Sequence, residues 1–267
     1  GSGDQNILMT ITFANWSDVG MSREENQDFF GKFPEDLDLS APKGQLFIVA
    51  DGMGGHNAGR TASEMAVNAL ASSYFSIPDE DIGRCLKQAF QGANEQVFAH
   101  SRKSPEFEGM GTTCVALVLK EDRAYVGHVG DSRVYHITDR EIRQLTADHS
   151  VVAQMVRQGI LTAEEARVHP QRSHLYRALG VRPDLEVDIL DDIALKHNDF
   201  FLLCTDGLYG YLTDKELRSV VTSDVPPIAC QELVRIANAR GGLDNITAQI
   251  VHAEKSSRFA DNPSGEK

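Results

Sequence analysis

Apolar and polar positions follow two periods along this chain of 267 residues. Runs of alternating or continuous apolar residues, bounded by turn residues, predict strands at ILMTITFANW, QLFIVA, TTCVALVLK, RAYVGHVG, RVYHIT, FFLLCT and NITAQIVHAE. The spacing of an amphipathic helix appears at Ala62, Met65, Ala66, Ala69, Leu70 and Ser73. It recurs at Ile82, Cys85, Leu86, Ala89, Phe90, Ala93 and Val97. Capping boxes open two more helices, Thr162 with Glu165 and Thr213 with Glu216. A further helix, about Pro227 to Ala239, stops at Gly241-Gly242.

The order of these elements narrows the fold class. Strands lead, two helices follow in succession, then comes a strand meander, then more helices and a final strand. Strict alternation of strand and helix is absent, so an α+β arrangement of antiparallel sheet packed with helix pairs is expected. No repeat and no Pro/Gly/Ser linker divides the chain, which predicts one domain over 9–254. The ends, 1–8 and 255–267, read as disordered, and the leading GSG as a cloning remnant.

Charge changes the picture next. The formal net charge is −13, which gives no electrostatic footprint for nucleic acid and repels anionic lipid. No apolar run approaches the ~18 residues that span a bilayer. Cys85, Cys114, Cys204 and Cys230 form no CxxC pair, so a zinc or redox motif is not expected, and the usage suits a reducing, cytoplasmic setting.

The candidate chemistry lies where strands meet turns. LFIVADG ends on Asp51, FFLLCTDG on Asp206 and YVGHVGDS on Asp131, while ARGGLDNITAQIV puts Asp244 just before a strand. Taken singly, Asp-Gly is a favoured turn dipeptide. As a set, carboxylates at strand ends can meet along one sheet edge, where they repel one another unless cations intervene. Oxygen-only ligands select Mg²⁺ or Mn²⁺ over zinc, and a pair of such ions activates water toward a phosphate ester. A glycine turn that cradles a nucleotide phosphate is the other reading, but Gly52, Gly54 and Gly55 miss GxGxxG and no Lys-Ser or Lys-Thr follows. Arg23, five residues before Asp28, offers a planar fork for phosphate oxygens.

Together these stretches resemble the protein phosphatase 2C family of metal-dependent phosphatases, in its bacterial branch. DVGMSREENQD, VADGMGGHNAG, VGDSRVY, DHSVV, YRALG, CTDGLYGYL and GGLDNIT are similar to the family's motifs and stand in the family's order, from about Ser17 to Val251. The resemblance implies a four-layer α-β-β-α sandwich of two antiparallel sheets flanked by helix pairs, with a flap subdomain at about 146–180. It implies Mn²⁺ or Mg²⁺, two ions in the core and a third, weaker one. Asp51 would bridge the pair, the Gly52 carbonyl would bind one ion, and Asp206 and Asp244 would complete the other. Asp131 would hold the third ion, Asp28 would act through water, and Arg23 would bind the substrate phosphate. The implied reaction is hydrolysis of phosphoserine or phosphothreonine by a metal-bridged hydroxide.

The implied partners are phosphorylated proteins, a Ser/Thr kinase and its substrates among them, met by a monomer without nucleic acid or membrane. Gln27 departs from the family's Glu, which removes direct carboxylate ligation there. His56 has two readings, general acid for the leaving alkoxide or a residue that closes the glycine turn. VRQGILTAEEARVHP reads as a helix–turn–helix shaping substrate entry; His149, His169, His174 and Arg177 carry no assigned role. Two alternatives stand beside the phosphatase: an interaction module of the same fold that has lost chemistry, and a metal-dependent phosphodiesterase.

Overall fold

A computed structural model describes residues 8–256. In chain order the strands and helices are β1 (Leu8–Asp18), β2 (Asp28–Phe33), β3 (Gln45–Met53), α1 (Ala58–Ser76), α2 (Ile82–Ser101), β4 (Gly111–Thr112), β5 (Cys114–Lys120), β6 (Arg123–Val129), β7 (Arg133–Ile137), β8 (Ile142–Gln144), α3 (Val151–Arg157), α4 (Ala163–Val168), β9 (Asp188–Ala194), β10 (Asp199–Cys204), α5 (Asp206–Tyr209), α6 (Asp214–Ser223), α7 (Pro226–Ala239) and β11 (Ile246–Ser256). The strands form two sheets. One runs β1-β11-β10-β7-β8 and the other β2-β3-β5-β6-β9, with β4 added beside β3. All the pairings are antiparallel.

Side-chain alternation explains the four layers. Along β3, Leu46, Ile48 and Ala50 pack with Ala62, Ala66, Leu70, Leu86 and Phe90 of α1 and α2. The intervening Phe47 and Val49 join Leu117, Phe201, Leu203 and Val251 in the core between the sheets. On the far side, Leu202, Cys204 and Ile250 pack with Leu217 of α6 and Leu233 of α7. Each central strand is buried on both faces, which is why QLFIVA and FFLLC read as continuous apolar runs. The expected α-β-β-α sandwich is the observed one.

The two capping boxes form as predicted, each with its reciprocal bonds. Four strands were not visible in the apolar pattern, among them the two-residue β4. β2 (DFFGKF) and β9 (DILDDIA) are sheet edges, and β8 (IRQ) has three residues, so none carries a full apolar period. At the ends, Leu8 pairs with Ser256 and Met9 with Lys255, so Leu8, Lys255 and Ser256 are strand rather than disordered. Their partners across the ladder, not their polarity, decide this. The remainder of the two expected disordered ends lies outside the described residues. All four cysteines are free and buried. Among the described residues, no helix is long and apolar enough to cross a membrane.

Candidate metal centre

Antiparallel pairing sets Asp28 of β2 directly opposite Asp51 of β3, and directly opposed residues project from the same side of a sheet. Asp51 is therefore still within its strand, not in a turn after it. Asp206 opens α5 one residue beyond Thr205, which follows β10; Asp131 lies between β6 and β7; Asp244 lies two residues before β11. These positions belong to one edge of the sandwich. Asp51 feels the charges of Asp28, Asp206, Asp244 and Asp131 together. Neither Asp51-Gly52 nor Asp206-Gly207 has positive φ, so neither is the Asp-Gly turn that either dipeptide alone suggests.

Burial and crowding set the protonation of this group. Burial, opposed by the Thr247 and Thr205 hydroxyls and reinforced by Asp206 and Asp244, raises the Asp28 carboxyl to about 7. Burial and then Asp244 raise Asp206 to about 6. Burial, followed by neighbouring carboxylates, holds Asp51 and Asp131 well above the usual carboxylate range. Asp28 Oδ1 and Asp206 Oδ1 are buried with no hydrogen-bond partner. Buried acceptors left unpaired in a cluster of carboxylates fit hard divalent cations such as Mg²⁺ or Mn²⁺. Gly52 belongs to the same site by close approach. A Cβ there would lie 1.8 Å from the Gly59 carbonyl oxygen at the start of α1, so only glycine fits.

Several polar residues steady these aspartates and the main chain around them, in roles that the sequence did not show. Thr113 stands between β4 and β5. Its hydroxyl accepts the Asp51 N–H at 2.9 Å and meets the Ser132 hydroxyl at 2.6 Å. The Thr205 and Thr247 hydroxyls donate to Asp28 Oδ2 at 2.9 and 2.7 Å. The Asn245 carboxamide takes the Gln27 N–H and donates to the carbonyls of Val19 and Glu25, each at 2.9 Å. Tyr209 donates to the Asp131 carbonyl at 2.7 Å, while Arg133 lies 3.6 Å over the Tyr209 ring and pairs bidentately with Asp148. A hydroxyl inside an apolar strand, as in TTCVALV and NITAQIV, is the signal that could have found the threonines, because a buried hydroxyl needs a partner.

Arg23 is 56% exposed, with Nε 3.5 Å from Asp244 Oδ1. A cavity of about 360 Å³ opens beside it, lined by Ser22, Arg23, Glu24, Glu25, Gln27, Gly54 and Asn245. A second open cavity, about 880 Å³, lies at the α1–α2 connection among Asp79, Glu80 and Asp81; none of the five aspartates lines either cavity. Gln27 is not turned into the aspartate cluster. Its amide donates to the carbonyls of Gly54 and His56 at 3.1 and 3.3 Å, which a glutamate could not do. His56 is exposed at φ 49. Its carbonyl accepts the Gln27 amide, and the backbone bond across the turn runs from the Ala58 N–H to the Gly55 carbonyl at 3.0 Å.

In the expected flap, α3 and α4 form the helix–turn–helix, and Arg167 ties α4 to the carbonyls of Tyr209 and Leu212. Outside the aspartate group, ligand atoms of His128, His149 and Asp188 lie within 4.8 Å of one another.

The family model for protein phosphatase 2C matches residues 22–241, a span that contains Arg23, Asp51, Asp131 and Asp206. Protein phosphatase PhpP of Streptococcus pneumoniae is 36% identical over 238 residues, 88% of this chain and 94% of its own. The serine/threonine phosphatase PstP/Ppp of Mycobacterium tuberculosis superposes with a TM-score of 0.81 at 33% identity, covering 91% of this chain and 99% of that one. A second structure, the catalytic domain of serine threonine protein phosphatase PstP in complex with two manganese ions, gives a TM-score of 0.79 at 30% identity, covering 92% and 99%. These matches place the chain among the phosphatases, a class of hydrolase, and the chain belongs to the protein phosphatase 2C family.

Proposed function

We propose that this chain is a metal-dependent protein serine/threonine phosphatase that uses Mn²⁺ or Mg²⁺. The observation that carries the reading is the convergence of five buried or half-buried aspartates with two unpartnered carboxylate oxygens, Asp28 Oδ1 and Asp206 Oδ1. When bound, a pair of divalent ions supplies an activated water and neutralises charge on the phosphoryl oxygens. Asp51, the Gly52 carbonyl, Asp206 and Asp244 would hold that pair, Asp131 would hold a third ion, and Asp28 would support the pair from its threonine-bound position. Arg23, beside the open cavity, orients the substrate phosphate and balances its charge. Asp244 keeps the guanidinium over the site until phosphate replaces it. His56, exposed next to the glycine turn, serves as the general acid for the leaving serine or threonine oxygen.

The physiological substrates are phosphorylated proteins, including those of a partner Ser/Thr kinase, and the enzyme works as a cytoplasmic monomer in signalling. A charge of −13 disfavours nucleic acid as the substrate. The test is phosphate release from a phosphothreonine peptide as Mn²⁺ is titrated. Release should depend on Mn²⁺, and Asp51→Asn should lower it by more than about 100-fold. No Mn²⁺-dependent release would favour the interaction module, and release from a dinucleotide alone would favour the phosphodiesterase.

A further inference from the structure

Gly130 immediately precedes Asp131 and is held at φ 103, where a Cβ would meet Thr113 Cγ2 at 2.7 Å. One residue grips it from two sides. The His149 main-chain N–H donates to the Gly130 carbonyl at 3.0 Å. The Gly130 N–H in turn donates to His149 Nδ1 at 2.9 Å. That second bond requires Nδ1 to be unprotonated, so the ring proton is on Nε2, which faces Asp188 Oδ2 at 2.8 Å. Arg177 Nη1 lies 2.8 Å from Asp188 Oδ1 and 3.1 Å from His149 Nε2. Because Nε2 already carries a proton, the guanidinium bonds the carboxylate. The His149 ring is buried and stacks on His128, centroids 4.6 Å apart and planes 14° apart, and His128 Nε2 bonds the Ala147 carbonyl at 2.9 Å.

The same three side chains, His128, His149 and Asp188, have the composition of a metal site. Their geometry opposes it. Imidazole lone pairs lie in the ring plane, and two nearly parallel stacked rings do not direct them to one point. His149 Nδ1 is already used as an acceptor, and the Arg177 cation occupies the open side. The arrangement instead has the logic of an orienting carboxylate–histidine pair, in which one ring nitrogen's partner sets the tautomer and the other nitrogen acts.

We propose that His149, oriented by Asp188 and Arg177, is a positioning residue that fixes the Gly130–Asp131 turn and so the place of the Asp131 carboxylate. This rests on the reading of Asp131 as a metal ligand. Arg177 and the His149 carbonyl, which accepts the Tyr176 N–H at 3.0 Å, join the turn to the expected flap segment.

The test compares His149→Phe, His149→Asn, Asp131→Ala and the His149→Phe/Asp131→Ala double variant on a phosphothreonine peptide while Mn²⁺ is varied. Asp131→Ala should raise the Mn²⁺ needed for half-maximal rate. His149→Phe should raise it in the same direction, by about 10-fold, and the double variant should be no worse than Asp131→Ala. His149→Asn keeps an acceptor near the Nδ1 position and should restore most of the response. Where His149→Phe does not fold, Asp188→Ala takes its place in the same cycle. Losses that multiply in the double variant would overturn the proposal while leaving the Asp131 reading intact. A lower melting temperature with unchanged Mn²⁺ response would do the same, as would a bound metal that Asp131→Ala leaves in place and His149→Phe removes. No effect of Asp131→Ala on the Mn²⁺ response would remove the premise itself.

Discussion

At the scale of single residues, the acidic group works against its own charge. Asp28 and Asp206 are raised, mainly by burial, to about 7 and about 6, above the ~3.9 of an unfolded chain. The folded state therefore holds more protons than the unfolded state between these limits, and stability falls as pH rises through them. In the presence of a chelator, the melting temperature should drop from pH 5 to pH 8, with little change beyond. Saturating Mn²⁺ binds the charged forms, so it should raise the melting temperature most at pH 8. A chelated protein as stable at pH 8 as at pH 5 would contradict the raised carboxyls. Asp51, Asp131, Asp206 and Asp244 were legible because each stands at a strand end with glycine beside it or within two residues. The threonines that steady Asp28 and Asp51 were not, because a hydroxyl in a strand looks like ordinary β-propensity until its partner is known.

At the scale of elements, the site depends on how far β3 runs. QLFIVA predicts a strand that stops before Asp51, yet β3 continues through Met53 because Gly52 and Met53 pair with Thr112 and Gly111 of β4. Pairing across the sheet overrode the glycines' preference for a turn. That extension brings β3 against the first turn of α1, where Gly52 N–H also reaches the Gln27 carbonyl at 2.9 Å. Gly52→Ala would drive a methyl group into the Gly59 main chain, so β3 and α1 must part. Activity should fall more than 10-fold and stability by about 2 kcal/mol or more, read by peptide assay and urea denaturation; wild-type values for both would refute the close approach. The two core helices and the capped helices were legible because 3.6-residue periodicity and capping boxes are local signals. The edge strands β2 and β9 were not, since half-exposed strands owe their form to neighbours far away in sequence. β2 nonetheless carries Asp28, so one part of the site was placed by an element the apolar pattern did not show.

At the scale of the whole molecule, two sheets share the task. β2, β3 and β6 bring Asp28, Asp51 and the approach to Asp131, and β10 and β11 bring Asp206 and Asp244. The core between the sheets, with Phe47, Phe201 and Val251, keeps these sets in register. Phe201→Ala should cost about 3–5 kcal/mol and raise the Mn²⁺ needed for half-maximal rate, although Phe201 lies away from the aspartates. An unchanged Mn²⁺ response in a folded variant would mean that the sheets do not need this core to stay aligned. The sheet order has a consequence for the birth of the enzyme. β11 lies between β1 and β10, so β1, made well over 200 residues earlier, waits for β11 before it has a neighbour in the sheet, and Asp244 arrives with it. A chain emerging from the ribosome could fold β3, α1 and α2 early. It would remain unable to act until β11 slid between β1 and β10, because Asp244 reaches the other aspartates only when that strand is in place.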